Sequence, residues 1–387
     1  MLKFVAKRLA QMAVLFFLFL SIVFFLLQAQ PGDITSQFIN PQIPAEVRNQ
    51  ILTRLGLDGS IWDQWWSYVT NFLSGNLGVS FAQFPKPVIE VIGERIPRTL
   101  FLFTFATLFS YILGFSLGKR LAWRRGGLGE HGITISGVFL YTIFYPWFAI
   151  LMILLFASNL GWFPINGFIT VETWRGAPYT GNQVFAQLLL SLAISGAVVV
   201  CGLIAAGKTT ERATARLVRR FSYAGGVLAL VAFWVIRADM WPYALDIVHH
   251  TVLPVVTLTL VAFAGTMLLT RSSMLETLKE DYILTARAKG VPEKDIRDRH
   301  AARNALLPVV TSFILGVAFL IGGGVITETV FGWPGMGALL LSSIIVEDIP
   351  VAIGTLAFLG VLALIAHLVV DILYTILDPR VRLATER

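Results

Sequence analysis

Apolar residues gather along this chain in runs of membrane length, parted by short polar stretches in which Lys and Arg collect. A helix needs about 20 predominantly apolar residues to cross a bilayer. That rule predicts about eight spans, near 9–28, 99–118, 133–158, 186–206, 223–241, 251–271, 307–327 and 351–375. The expected fold class is therefore an all-α polytopic membrane protein. The first span is read as a retained helix: its apolar core is long for a secretory signal, and Leu27-Gln28-Ala29 is a poor small-x-small cleavage site.

The basic residues orient the spans. They cluster at Lys3, Lys7 and Arg8, at Lys119, Arg120, Arg124 and Arg125, and at Lys208, Arg212, Arg216, Arg219 and Arg220. Two further clusters lie across 271–303 and at Arg380, Arg382 and Arg387. With eight spans all five clusters share one side, and the loops at 159–185, 242–250 and 328–350 are poor in Lys and Arg. Both termini are then cytoplasmic. Removing either span of the 186–241 hairpin alone would misplace half the clusters, so the two stand or fall together.

Composition supports the same class. The chain is 56% hydrophobic and only 14% charged, where a soluble domain is nearer a quarter charged. A net charge of +7 would point a soluble protein towards nucleic acid. Here the charge flanks apolar spans and no nucleic-acid-binding motif accompanies it, which argues against that class. Cys201 is the only cysteine, so no internal disulfide forms. It is expected to be a small buried residue.

The first outer loop, 31–98, is long enough for a small lobe. Trp62, Trp65, Trp66 and Tyr68 suit the membrane–water boundary as anchors rather than as a ligand-stacking site. Gly75-Asn76-Leu77-Gly78 reads as a turn, Pro85 and Pro87 keep the chain extended, and 88–95 reads as a helix along the membrane surface. Gly114 and Gly118 form a GxxxG pair for close helix packing. Gly322, Gly323 and Gly324 invite packing or a flexible joint. Glu328 follows them, and Phe331-Gly332-Trp333-Pro334-Gly335-Met336-Gly337 demands a tight re-entrant turn on the outer side.

One long polar, helix-forming stretch interrupts the apolar pattern: 281–308, DYILTARAKGVPEKDIRDRHAARNALLP. Gly290 stops a helix and Pro292 restarts one. Lys279, Arg287, Lys289, Lys294, Arg297, Arg299 and Arg303 stud both halves. Such a basic helix–turn–helix, tethered at both ends in a membrane, reads as a docking element for a cytoplasmic partner.

Two other candidates are weaker. Gly202 to Thr209 satisfies GxxxxGK[ST], yet a phosphate-binding loop needs a soluble α/β domain, and membrane-length apolar segments leave no room for one. It is read as a false match: a helix end followed by a basic loop. His131, His249, His250, His300 and His367 show no metal-site spacing, and no GxSxG elbow occurs. His249 and His250 are expected at the interface. His367 and Asp371, four residues apart on the last span, suit a structural hydrogen-bonded pair better than an intramembrane catalytic one.

Several stretches resemble a known family, the permease subunits of bacterial ABC importers in the dipeptide/oligopeptide/nickel branch. Residues 282–290 and 300–308 resemble that branch's form of the EAA loop. Thr285 and Ala286 occupy its two alanine positions, Leu284 its glutamate position and Gly290 its glycine position, and the closing proline comes late, at Pro308. Residues 323–337, Leu55-Gly56-Leu57-Asp58, Gly75-Asn76-Leu77-Gly78 and Asp378-Pro379-Arg380 also match. The resemblance covers about 1–158 and 245–385.

It implies a six-helix core with the 186–241 hairpin as an insertion. The segments would be a first helix in 1–30, an outer lobe in 31–98, two helices in 99–158 and an outer loop with the hairpin in 159–245. Core helices with a coupling loop at 276–307 would fill 246–375, and a cytoplasmic tail 376–387. It further implies a second, related permease, two ATP-binding subunits and an extracytoplasmic solute-binding protein as partners, in a bacterial inner membrane. Tyr282, Thr285, Ala286, Arg287, Ala288, Lys289, Gly290, Val291 and Pro292 would form the ATPase-coupling site. No cofactor, metal or catalytic residue is expected on this chain, with ATP and Mg²⁺ held by the partners. The expected function is a transport subunit moving peptides or similar small polar solutes inward. A self-sufficient secondary transporter or channel, and an intramembrane enzyme, are the alternative classes.

Overall fold

The computed structural model describes residues 2–28, 60–124, 126–209, 211–320 and 324–377. All their regular elements are helices, apart from one isolated bridge between Val79 and Pro87. Most of the outer lobe (31–59, with Leu55–Asp58 of the resemblance), Arg125, Gly322, Gly323, and the tail with Asp378-Pro379-Arg380, Arg382 and Arg387 lie outside the described residues. Six single helices are long and apolar enough to cross a membrane, or seven spans if one broken pair counts as one. The protein is an all-α, multi-pass membrane protein.

The chain divides into two compact units, one of Met1–Leu151 with Pro254–Arg387, the other of Met152–Leu253. In the first, α1 (Leu2–Gln28) carries α2 (Ile61–Leu73) along its length. Ser60 and Asp63 cap α2 reciprocally. Phe25 meets Trp62, Phe24 meets Tyr68, Phe17 meets Trp65 and Phe16 meets Phe72, with ring centroids 5.4–6.0 Å apart. Trp65 Nε1 also donates to Ser21 Oγ at 3.1 Å. Of the expected interfacial anchors, Trp62 and Trp66 are thus exposed, whereas Trp65 and Tyr68 pack on α1.

Gly75 and Gly78 take positive φ, as the expected turn requires. The segment after it is less extended than expected: Ser80 and Lys86 bond across a small loop closed by Lys86 N donating to Gln83 O. There is also no separate surface helix at 88–95. Instead α3 runs without a break over Val88–Trp123, taking Pro97 inside it. The packed face of Val88, Val91 and Ile92 holds the first turns in register with the span. At 36 residues α3 is ~54 Å long, well over the ~30 Å hydrocarbon core.

The expected span at 133–158 is broken. α4 (Leu128–Thr142) ends at the extended Ile143, and α5 (Tyr145–Met152) starts afresh, leading into a π-helical stretch, Ile153–Asn159. Pro146 lies in the first turn of α5, where a missing N–H is harmless, and it has no N–H to offer the Thr142 carbonyl that a continued α4 would need. The expected outer loop at 242–250 is likewise helical: α9 spans Trp241–Thr277, with Pro242 at its start and Pro254 inside.

Gly114 and Gly118 set α3 directly on α9. A Cβ at Gly114 would lie 2.6 Å from Phe263 O, and one at Gly118 would lie 2.5 Å from Met267 O. The GxxxG pair therefore makes a backbone-to-backbone seam.

The second unit contains α6 (Val171–Trp174), α7 (Gly181–Lys208), α8 (Arg212–Ile236) and the first turns of α9. α7 and α8 pair closely. A Cβ at Gly202 would meet Ser222 Oγ at 1.9 Å, and Ser195 Oγ donates to Gly226 O at 2.9 Å. Asp246 on α9 accepts from Thr170 N, Thr170 Oγ1 and Trp174 Nε1 at 2.6–2.8 Å, which ties down the preceding loop. Of the two histidines expected at the interface, His249 is exposed and bonds Trp162 O, and His250 is buried against the Asp246 carbonyl. Cys201 is exposed, contrary to expectation, on a helix little of whose apolar stretch is buried among the described residues.

Candidate functional site: a packed loop and a buried turn

The 281–308 stretch folds as α10 (Asp281–Ala288), a break, α11 (Glu293–Asp295), a π-helical stretch (Ile296–Ala301) and α12 (Ala302–Leu320). Gly290 has φ +71°. Val291 N donates to Ala286 O at 3.2 Å and Gly290 N to Arg287 O at 2.9 Å, the paired bonds of a helix stop that needs a left-handed residue after the cap. Pro292 caps α11. The loop then runs directly into α12, which contains Pro308 rather than ending at it.

The underside of this loop is core. Ile283, Ala286, Ile296, Ala301, Ala302 and Ala305 pack with Ala122 of α3 and Met274 of α9. Asp298 receives Lys119 Nζ at 3.0 Å and a bidentate Arg297 at 2.9–3.0 Å. The Arg297 guanidinium, then Lys119, holds its carboxyl well below the usual range despite some desolvation. Asn304 Nδ2 donates to Tyr282 Oη at 2.7 Å, and Arg287 pairs with Glu293 at 3.3 Å. Of the predicted site residues, Tyr282, Thr285, Arg287, Ala288, Lys289, Gly290 and Pro292 are exposed, Val291 is half-buried and Ala286 is buried. Leu284 adds an apolar side chain, 68% exposed, to the outward surface. The result is a stiff, partly apolar, partly cationic knob anchored to three long helices. Its fastening through Asp298, Lys119 and Asn304 carries no sequence signal that spacing alone reveals.

A second constellation lies at the other end of α3. After Gly324, α13 (Val325–Val330) carries Glu328, a turn through Gly332 (φ +61°) follows, and α14 (Met336–Ile345) leaves it. α15 (Ile349–Leu377) completes the packing. Glu328, fully buried, accepts from Thr99 Oγ1 at 2.7 Å and from Ala338 N at 3.0 Å. Thr99 Oγ1 in turn accepts from Met336 N at 2.7 Å. A carboxylate and a hydroxyl borrowed from other helices thus cap the start of α14. Gly335 is obligatory, since a Cβ there would lie 2.2 Å from Glu328 Oε1.

The remaining candidates resolve plainly. Gly202–Lys208 lies inside α7 and Thr209 caps its end. A phosphate-binding loop presents N–H groups at a helix start, whereas this stretch ends a helix. His367 and Asp371 have separate partners: His367 Nδ1 donates to Ala363 O, while Arg8 pairs with Asp371 at 3.1 Å.

Comparison with known proteins agrees with this architecture. Residues 198–383 match the family described as binding-protein-dependent transport system inner membrane component, and residues 1–103 match the N-terminal region of such membrane components. The first match starts within α7, inside the stretch 160–245 that the motif resemblance left out. The chain is 33% identical to the di/tripeptide transport system permease protein DppB of Pseudomonas aeruginosa, over 99% of both chains. It is 30% identical to the oligopeptide transport system permease protein AppB of Bacillus subtilis, over 92% of both. It is 29% identical to the glutathione transport system permease protein GsiC of Escherichia coli, over 99% of both. Helical spans, the glycine-broken loop and whole-length relatedness converge: the chain belongs to the family of membrane permease subunits of binding-protein-dependent importers, transport components rather than enzymes.

Proposed function

We propose that this permease subunit carries di- or oligopeptides inward, and that ATP hydrolysed by two partner subunits drives it through the loop around α10. The rigid seating of α10 is the observation that carries the reading. Its underside is locked to α3 and α9 while Leu284, Arg287 and Lys289 face outward. A knob of this kind seats in a groove on an ATPase and passes the groove's movement into the spans. Differential contact with two ATPase states then biases outward- against inward-open forms. The named relatives act on peptides, which supports the substrate class.

In this reading the loop at 276–307 and both termini are cytoplasmic, the 31–98 lobe is extracytoplasmic, and the membrane is a bacterial inner membrane. A second, related permease shares the pathway, and an extracytoplasmic binding protein delivers the solute. ATP and Mg²⁺ belong to the partners. The test combines co-purification from native membranes with uptake by vesicles. The expected result is two ATPases and a second permease in the preparation, with peptide uptake that needs ATP. Transport by the purified chain alone, down an ion gradient, would overturn it.

A further inference from the structure

Arg95 is not accounted for by the fold. It stands on the face of α3 that carries Val91, Ile92 and Thr99, the face packed against α14 and α15 beside the turn at 331–335. Its Nε is buried and has no hydrogen-bond partner among the described residues. The carboxylates that act on it electrostatically are Glu94 and Glu328. Glu94 is bonded by Lys86 at 2.7 Å, and Glu328 is taken by Thr99 and the start of α14.

One turn on, Arg98 is 7% exposed. Its Nη1 donates to Pro334 O at 3.4 Å, and its carbonyl receives Trp333 Nε1 at 3.2 Å. Two arginines one helical turn apart thus stand beside this irregular backbone, Arg98 bonded to it and Arg95 with an N–H to spare.

Within a membrane protein such an arrangement has a narrow meaning. Irregular backbone at membrane depth occurs where it is buried in protein or lines a water-filled cavity, and ionisable groups there mark solute pathways. Like charges this close favour an anion between or beside them. The parallel N–H groups of a planar guanidinium match the two oxygens of a carboxylate. We propose that Arg95, backed by Arg98, binds a carboxylate at the outer end of the pathway, namely the terminal carboxylate of the transported peptide. This rests on the peptide-import reading above and assigns part of its recognition to this chain.

The test uses the complete transporter in proteoliposomes with saturating binding protein. Initial uptake of alanyl-alanine and of its C-terminal amide is measured for wild type, Arg95→Gln and Arg95→Lys. Taking the variant-to-wild-type ratio for each peptide cancels the binding protein's own preference. The expected result for Arg95→Gln is a loss of about tenfold or more for alanyl-alanine, the scale of one charged hydrogen bond, with the amide changed less than twofold. Arg95→Lys should recover part of the loss.

Equal losses for the two peptides, or none, overturn the anchor. So does loss of the second permease from Arg95→Gln preparations, which would place the carboxylate on that subunit. Wild type that carries neither peptide overturns the import reading and the anchor together, before any variant is made.

Discussion

Thr99 and Glu328, 229 residues apart in the chain, share a 2.7 Å hydrogen bond in a site closed to solvent. Thr99 is also the acceptor for the first N–H of α14, so one hydroxyl joins three segments. Thr99→Val keeps the shape and removes both bonds, leaving a buried carboxylate and a buried N–H each short of a partner. The expected loss is about 1–3 kcal/mol, seen as a lower Tm in detergent. Thr99→Ser should restore most of it. An unchanged Tm for Thr99→Val would show that the network is not structural.

Gly290 isolates the role of backbone geometry. A Cβ there meets nothing within 4 Å, so only its φ of +71° resists substitution. Gly290→Val should strain the stop by about 1–2 kcal/mol and displace Val291 from the core. In the assembled transporter the expected signature is ATP hydrolysis retained with uptake reduced severalfold. Gly290→Asn, which tolerates this region better, should lie between. Uptake equal to wild type in Gly290→Val would remove the loop from the coupling path.

Asp298 supplies a pH test with a definite sign. Its folded pKa is depressed below the 3.8 of a free side chain, first by Arg297 and then by Lys119. Its contribution is therefore complete above about pH 5 and fades as pH falls through 3.8 towards the folded value. Asp298→Asn should lower stability at neutral pH by up to about 1 kcal/mol, since the pair is partly exposed. The gap should narrow below pH 4. A gap that persists undiminished in acid would assign the effect to shape rather than charge.

Lys208 checks the false phosphate loop. It ends α7 and is exposed. Lys208→Ala should leave ATP hydrolysis by the complete transporter within about twofold of wild type, where loss of a phosphate-contacting lysine removes several kcal/mol of transition-state stabilisation. A collapse of hydrolysis would reopen that assignment.

Local chemistry with one physical solution was legible in the residues. Gly290 followed by Pro292 announces a helix stop and restart, and Gly114 with Gly118 announces a close seam. The turn of Phe331 to Gly337 also lies where its glycines demand it. Long-range choices were not legible. Residues 88–95 read as a helix apart from the span at 99–118 until the packing of Val91 and Ile92 joins the two through Pro97. Ile143 lies in unbroken apolar sequence, yet Pro146 ends the span there. Arg8 rather than His367 meets Asp371, because an ion pair across helices leaves no trace in spacing. The same holds for Thr99 and Glu328.

α3 joins both constellations. Lys119 at one end holds Asp298 of the loop, and Thr99 at the other holds Glu328 beside the turn at 331–335. Twenty residues of uninterrupted helix separate them, a distance of ~30 Å, which is the hydrocarbon thickness itself. A helix clamped near both ends and seamed to α9 has little freedom to bend. If the loop is driven as proposed above, a thrust on it reaches the turn at 331–335 as translation or rotation of a strut, with its sign preserved.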